Sequence, residues 1–256
     1  MRPAAAAAGP GVPAVTLLRW DGAELVPAEE PDSRPDVVDS WLEHDGYVGS
    51  RHLHEERFAG SLPGIKVGDF LTAVRRAVPH EGNWFPRIEA HGQTLYLRVR
   101  PAPPLRTRTV LWVPPEPDPR VVPRVKGPDL PVLARLRAQA QEHGADDALL
   151  WSADGLVVEG ANCALAWWEG DRLMVPEHPG QLPSVTVTAT REMLDGVGQR
   201  PVTPTELRQY PVWAGSALHG WTEVVGWVGQ DGTRLRAVTE PTPVSAAEVT
   251  TLLRWN

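Results

Sequence analysis

Short apolar runs in this chain are repeatedly broken by a polar residue followed by glycine, and this punctuation limits the fold more than any other feature. "TLLRW-DG-AELVPA" reads as two strands joined at Asp21-Gly22. An Asp-Gly pair accepts the positive φ that a tight hairpin turn demands. "DVVDSWLEHDGYVGS" reads as a second hairpin turning at Asp45-Gly46, and "NWFPRIEA-HG-QTLYLRVRP" as a third turning at His91-Gly92. Two helical segments lie between the second and the third. "RHLHEERFAGSL" carries Leu53, Arg57, Phe58 and Leu62 at helical spacing, and Val67–Val78 is closed by Pro79. Strand hairpins with helices between them imply an α+β architecture rather than a parallel doubly wound sheet.

"TRTVLWVP" supplies a further strand. "PPEPDPRVVPR", Pro114–Arg124, is dense in proline, which favours extended chain and disfavours helix and central strand. It reads as a linker between two subdomains. "DLPVLARLRAQAQEHG" is the clearest helix, with Pro131 near its first turn and Gly144 at its end. "DDALLWSADGLVVEGANCALAWWEGDRLMVP" reads as three strands turning at Asp154-Gly155 and Glu169-Gly170-Asp171. Helices are expected near Thr186–Leu194 and Thr205–Gln209, followed by a strand, a small-residue loop and a closing hairpin. The expected organisation is a disordered leader at 1–14, an N-terminal α+β subdomain at 15–113, the linker at 114–124 and a C-terminal α/β-barrel-like subdomain at 125–256.

Composition removes several function classes. Hydrophobic residues make up 42% of the 256 and charged residues 22%, enough apolar material for a real core. The net charge is −7 and no basic stripe is visible, which argues against nucleic acid. No apolar run approaches the roughly 18 residues of a membrane span. The Ala, Pro and Gly of Met1–Pro13 contain no signal-peptide core. The single cysteine, Cys163, sits in an apolar strand and reads as core. A reducing cytoplasmic setting is expected. His44, His52 and His54 do not make a metal cluster, because His52 and His54 point to different faces of a helix. No metal is therefore expected. Among the 25 Lys+Arg residues only Lys66 and Lys126 are lysines, so any chemistry that needs a lysine has two candidates. Lys66, in the turn-like "LPGIKVGDF", reads as solvated. Trp167 and Trp168 are possible cleft residues among eleven tryptophans otherwise suited to core and interface.

The stretch from Val125 to Thr186 carries the most chemistry. Lys126 stands just ahead of a helix. After that helix come Gly144-Ala145-Asp146-Asp147-Ala148-Leu149-Leu150, Gly155, Val157 and Glu159-Gly160, then Leu182-Pro183-Ser184-Val185-Thr186. This order resembles the class IV aminotransferase family, which includes branched-chain and D-amino-acid aminotransferases and 4-amino-4-deoxychorismate lyase. "HEERF" (His54–Phe58) resembles the family's H-x-x-R-L helix, and "SALHG" (Ser216–Gly220) its small-residue phosphate loop. Each motif alone is weak, but together, in the right order, they span the chain from about Val15 onward.

The resemblance implies the fold type IV of pyridoxal 5′-phosphate enzymes, with that cofactor held as an imine by Lys126. An imine needs an unprotonated amine in a partly desolvated place, and the same amine can then move a proton. Glu159 would face the cofactor's ring nitrogen and keep it protonated. Arg57 would bind the phosphate together with Val185, Thr186, Ser216 and Ala217, which offer amides and hydroxyls. Substrate carboxylate would meet an arginine: Arg98 and Arg100 share a strand face, and Arg106 and Arg108 repeat the spacing one loop later. The implied reaction is an elimination resembling that of the lyase, slightly favoured, or an amino-acid transamination; the short chain is closer to the lyases and short transaminases than to the branched-chain enzymes. A non-catalytic binder of the same fold is the alternative. A homodimer acting on a small amino compound is implied as well.

The chain departs from the family in places. Ala164 stands where many members have asparagine, Val187 follows Thr186 instead of arginine, and Gly220-Trp221-Thr222-Glu223-Val224 replaces G-V-T-P-V. Arg100 is followed by Pro-Ala-Pro-Pro in place of the lyases' glycine-rich segment, and "PDVVDSWLE" replaces G-x-G-x-F-E-T.

Overall fold

The computed structural model describes residues 15–255. The expected leader at 1–14 lies outside them. In chain order the first elements are β1 (Thr16–Trp20), β2 (Leu25–Pro27), β3 (Val37–Ser40), β4 (Glu43–His44), α1 (Arg51–Gly60), α2 (Gly68–Ala77), β5 (Asn83–Trp84), β6 (Arg87–His91) and β7 (Thr94–Val99). Five of the strands form one antiparallel sheet in the order β2-β1-β7-β6-β3. Alternation along β7 sets its inner face: Leu95, Leu97 and Val99 are buried while Thr94, Tyr96 and Arg98 are less so. α2 turns Phe70, Leu71 and Val74 inward, with Asp69 in its first turn and Arg75 and Arg76 in its last, as the helix dipole favours. Phe58 of α1 joins Phe70, Ile88 and Leu97 in this unit's core.

The chain continues with β8 (Arg108–Trp112), α3 (Leu130–Glu142), β9 (Asp147–Trp151), β10 (Val157–Gly160), β11 (Ala164–Glu169), β12 (Arg172–Pro176), α4 (Val185–Met193), β13 (Gly198–Arg200), α5 (Pro204–Leu207), β14 (Val212–Ser216), β15 (Gly220–Val228), β16 (Arg234–Arg236) and α6 (Ala246–Trp255). Their sheet runs β10-β9-β8-β15-β14-β11-β12-β13, with β16 paired to β15. β8 lies parallel to both β9 and β15. β11 is buried on both faces: Trp167 packs with Leu165 and Trp227, while Trp168 packs with Trp213 and Val249. Both tryptophans are therefore core, not cleft lining.

The mixed helix-and-sheet class agrees with the sequence, and several local readings need correction. The first and third hairpins form as expected. The second does not: β3 pairs with β6, and β4 crosses to β5, although a turn at Asp45-Gly46 still joins His44 to Tyr47. Asp39 and Ser40 break the apolar alternation, and long-range partners decide where β3 goes. The segment expected as three strands is four, because the turn at Gly160–Cys163 carries no strong punctuation. "TRTVLWVP", expected in the N-terminal subdomain, is β8 at the centre of the second sheet. α6, which covers Trp221 and Gly220, was not foreseen.

Candidate active site

A cavity of about 730 Å³ opens between the two sheets. Its wall takes residues from β3, α1, the Pro114–Arg124 segment, β10, the start of α4 and the β14–β15 turn. Lys126 reaches this cavity from the loop before α3. Its carbonyl accepts a hydrogen bond of 2.6 Å from the amide of Val38 on β3. The next residue, Gly127, has φ +155°, and a Cβ there would stand 2.6 Å from the Asp36 carbonyl oxygen. Only glycine lets the chain pass this close. Burial lowers the Lys126 amine below its ordinary value and the Arg57 guanidinium adds to this, which favours the free amine.

Glu159 sits on β10, where the register with β9 shifts between Val157 and Glu159. Such an irregularity re-aims side chains, and here the carboxylate is only 6% exposed. One of its oxygens accepts 2.7 Å from Arg120 and 2.9 Å from the amide of Leu182. Among the described residues the other oxygen makes no hydrogen bond. Burial pushes this carboxyl up, and the Arg120 guanidinium and the Leu182 amide oppose the shift. Arg120 in turn grips Asp118 and donates to the carbonyl of Gly180. The segment expected as a linker is thus an ordered strap: Asp118 bonds to Trp151, and Asp129 takes the amides of Val121 and Val122.

Arg57 lies on the inner face of α1 and lines the cavity. Its Nε and one Nη bind Asp39 at 2.8 Å each, and the other Nη donates to the Pro183 carbonyl at 2.9 Å. A guanidinium has five N–H donors, so two remain. Asp39 is fully buried and also accepts from His54 Nδ1 at 2.7 Å. Although burial alone raises a carboxyl, Arg57 and His54 together hold Asp39 far below the usual range.

Beside Arg57, which bonds the Pro183 carbonyl, α4 follows Ser184, whose hydroxyl caps the Val187 amide. The amides of Val185 and Thr186 lie in the first turn, where a helix offers no internal acceptor. Ser216 and Ala217 lie on the turn that leads to Gly220, and all four residues line the cavity. The site thus offers two spare guanidinium N–H groups, a helix N-terminus, hydroxyls, a desolvated lysine and a carboxylate with a free oxygen. This set fits a phosphorylated pyridine aldehyde: an anion at the helix start, an imine-forming amine and a partner for a ring N–H.

The substrate arginines divide. Arg100 and Arg106 line the cavity. Arg98 does not; it pairs with Glu89 at 2.8 Å and with Glu30. Arg108 is exposed. Cys163 borders the cavity, but burial and Asp147 raise its thiol well above the ordinary value. Lys66 is exposed, and His52 points out while His54 is buried. Sequence reasoning missed Asp39 and Arg120. An acid inside "VVDSW" was a readable signal, since a buried charge implies a partner. Arg120 had no such signal, because proline-dense chain gives no periodicity.

A family model, "Amino-transferase class IV", matches residues 51–227. No curated protein sequence matches. Among solved structures, a hypothetical aminotransferase from Mycobacterium tuberculosis, in a form bound to alpha-ketoglutarate and PMP, superposes with TM-score 0.76 at 19% identity, covering 94% of this chain and 99% of that one. An aminotransferase from Brucella abortus bound to PLP gives 0.73 at 14%, covering 94% and 98%. A Legionella pneumophila protein described as a candidate 4-amino-4-deoxychorismate lyase gives 0.70 at 16%, covering 85% and 89%. Those structures share the fold; the family match spans well over half of the sequence, and the chain belongs to the class IV aminotransferases, a family of pyridoxal-phosphate enzymes.

Proposed function

We propose that this chain is a pyridoxal 5′-phosphate enzyme in which Lys126 carries the cofactor and then moves a proton at the α-carbon of an amino-acid-like substrate. The observation that carries the reading is Lys126 itself: a lysine pinned by its backbone to β3, desolvated, and sharing one cavity with Glu159 and the first turn of α4. The cofactor, when bound, supplies an electron sink for the α-carbon. Glu159 holds a proton on the ring nitrogen, and Arg120 favours the ionised Glu159 carboxylate that this needs. Arg57, Val185, Thr186, Ser216 and Ala217 hold the phosphate end. Asp39 fixes the Arg57 guanidinium at the cavity wall, leaving two of its donors spare. Arg100 takes the substrate carboxylate.

For the reaction itself we favour an elimination resembling that of 4-amino-4-deoxychorismate lyase, a reading supported by the likeness to the Legionella structure. Transamination is the second reading, supported by the likeness to the Mycobacterium and Brucella structures. The active form is a cytoplasmic homodimer in this reading. Among the described residues, no helix is long and apolar enough to cross a membrane. The test begins with added cofactor. A visible absorbance band, followed by borohydride reduction and peptide mapping to Lys126, supports the reading. A protein that stays colourless overturns it in favour of a non-catalytic binder. Pyruvate release from 4-amino-4-deoxychorismate then separates elimination from amino transfer to a keto acid.

A further inference from the structure

Trp221 stands where the G-V-T-P-V pattern has its valine, and it is buried in β15. Its ring lies against Gly215, where a Cβ would stand 2.6 Å from the indole. The indole Nε1 donates to the Thr190 hydroxyl of α4 at 2.8 Å. That hydroxyl donates in turn to the Thr186 carbonyl at 2.7 Å. A valine has no donor to offer, so this link between β15 and α4 depends on the tryptophan. Thr186 belongs to the first turn of α4, one of the segments proposed to hold the phosphate. The peptide unit between Thr186 and Val187 is held at both ends, its carbonyl by Thr190 and its N–H by the Ser184 hydroxyl at 3.3 Å. The amides just before it, of Val185 and Thr186, stay free of internal acceptors. A buried hydroxyl that accepts while it donates is polarised in both roles.

The backbone of Trp221 is held from the other side by α6. Its amide donates to the Thr250 hydroxyl at 2.7 Å, and that hydroxyl donates to the Trp221 carbonyl at 3.0 Å. Gly220, just before it, has φ +68°, and a Cβ there would meet the Thr250 side chain. Arg254, one turn further along α6, donates to the His219 carbonyl at 3.4 Å. The turn that carries Ser216 and Ala217 is thus tied to α6 at two residues. α6 also closes on the loop ahead of α1, the helix of Arg57: a Cβ on Gly49 would collide with the Leu253 carbonyl. The three segments proposed to hold the phosphate come from distant parts of the chain. α6 or Trp221 reaches each of them, or the loop leading into it. A cavity of about 50 Å³ lies between them, bordered by His54, Thr186, Ser216 and Arg254. Atoms beside a void have no partners on that side, so hydrogen bonds, more than packing, set the shape of this cradle.

We propose that Trp221, braced by Thr250 of α6, is a positioning residue for the phosphate end of the cofactor, and that this brace sets the site's preference for the phosphorylated aldehyde over the same aldehyde without phosphate. Trp221, Thr190 and Thr250 do not line the large cavity and act through Thr186 and the β14–β15 turn. Loosening them lets two groups of donors shift, and a misaligned donor loses most of its value to an oxyanion. Lys126 and Glu159 serve the other end of the cofactor and stand outside the brace. The inference rests on the reading of Lys126 as the cofactor lysine, and it goes further by naming residues away from the cavity that tune the phosphate contacts.

The test titrates wild type and variants with pyridoxal 5′-phosphate and with pyridoxal, read by the visible band, and with inorganic phosphate, read by calorimetry. Trp221→Phe keeps a ring and removes the indole N–H, Thr190→Val removes its acceptor, and Thr250→Val removes both bonds to the Trp221 peptide. Each should weaken pyridoxal 5′-phosphate and inorganic phosphate about tenfold, the scale of one hydrogen bond, and leave pyridoxal within about a factor of two. Trp221→Phe and Thr190→Val cut the same link, so the double variant should lose little more than either alone. Thr190→Ser, which keeps the hydroxyl, should retain the preference, and Thr251→Val on the exposed face of α6 should leave it unchanged. Equal weakening of both aldehydes marks a merely structural role and overturns the proposal, as does a preference untouched in Trp221→Phe and Thr190→Val. A wild type that takes neither aldehyde refutes the Lys126 reading instead. The brace then stands or falls on inorganic phosphate, whose affinity must drop in the variants.

Discussion

Replacing Glu159 by glutamine tests the proposed chemistry with little disturbance to the fold. In the native site one carboxylate oxygen already accepts from Arg120 and from the Leu182 amide. The glutamine carbonyl oxygen can keep both bonds. Arg120 stays neutralised, because Asp118 grips it independently through Nε and Nη2. What changes is the free end, which turns from an acceptor into an N–H donor. A donor there cannot receive the ring nitrogen's proton, so the protonated ring loses its partner. Losing one side of a buried charge-assisted pair costs about 2–5 kcal/mol. At about 1.4 kcal/mol per decade, the rate should fall roughly 30- to several-thousand-fold. Cofactor affinity should change far less, because Lys126 and the α4 end of the cavity are untouched. The assay is turnover on the active substrate alongside cofactor titration and thermal melting. A Glu159→Gln rate within a factor of a few of wild type, in a folded and loaded protein, would refute the ring-partner role.

Other expectations follow from the same geometry. Lys126→Ala should lose the borohydride-trapped adduct and turnover while its melting temperature stays near wild type; label on Lys66 would sink the assignment. Asp39→Asn leaves His54 and Arg57 without their shared buried carboxylate and should cost about 3–5 kcal/mol in denaturant unfolding. Because Asp39 is held below its ordinary 3.8, its stabilisation is complete above about pH 4 and is lost as pH falls further, so the wild-type advantage over Asp39→Asn should shrink on acidification. Gly127→Ala would press a Cβ against the Asp36 carbonyl and is expected to weaken cofactor loading more than a surface glycine change such as Gly170→Ala. Light scattering should give a dimer at micromolar concentration, and a monomer would count against the proposed assembly.

The sequence by itself determined the class of fold, the local elements that are self-contained, and the motif order. Hairpins such as β1–β2 and β6–β7 were legible because an Asp-Gly or His-Gly turn and the alternation beside it fix both strands at short range. α2 and α3 were legible because their periodicity and end signals are local too. Lys126 stood out through scarcity, and Glu159, Thr186 and Ser216 through their order along the chain. Tertiary structure alone decided what depends on distant partners. β3 left its expected hairpin because Val37–Ser40 pair with Arg87–Ala90, and Asp39 earned its burial only once α1 brought Arg57 and His54 to it. Arg98 and Arg100 share a strand face, yet Glu30 and Glu89 claim the first while the second reaches the cavity. Arg120 sits in proline-dense chain with no pattern to mark it, and only the closure of that segment over β10 brings its guanidinium to Glu159. Local pattern reports which groups a chain possesses; which charges meet is set by long-range packing, because electrostatic pairing is decided in space and not along the sequence.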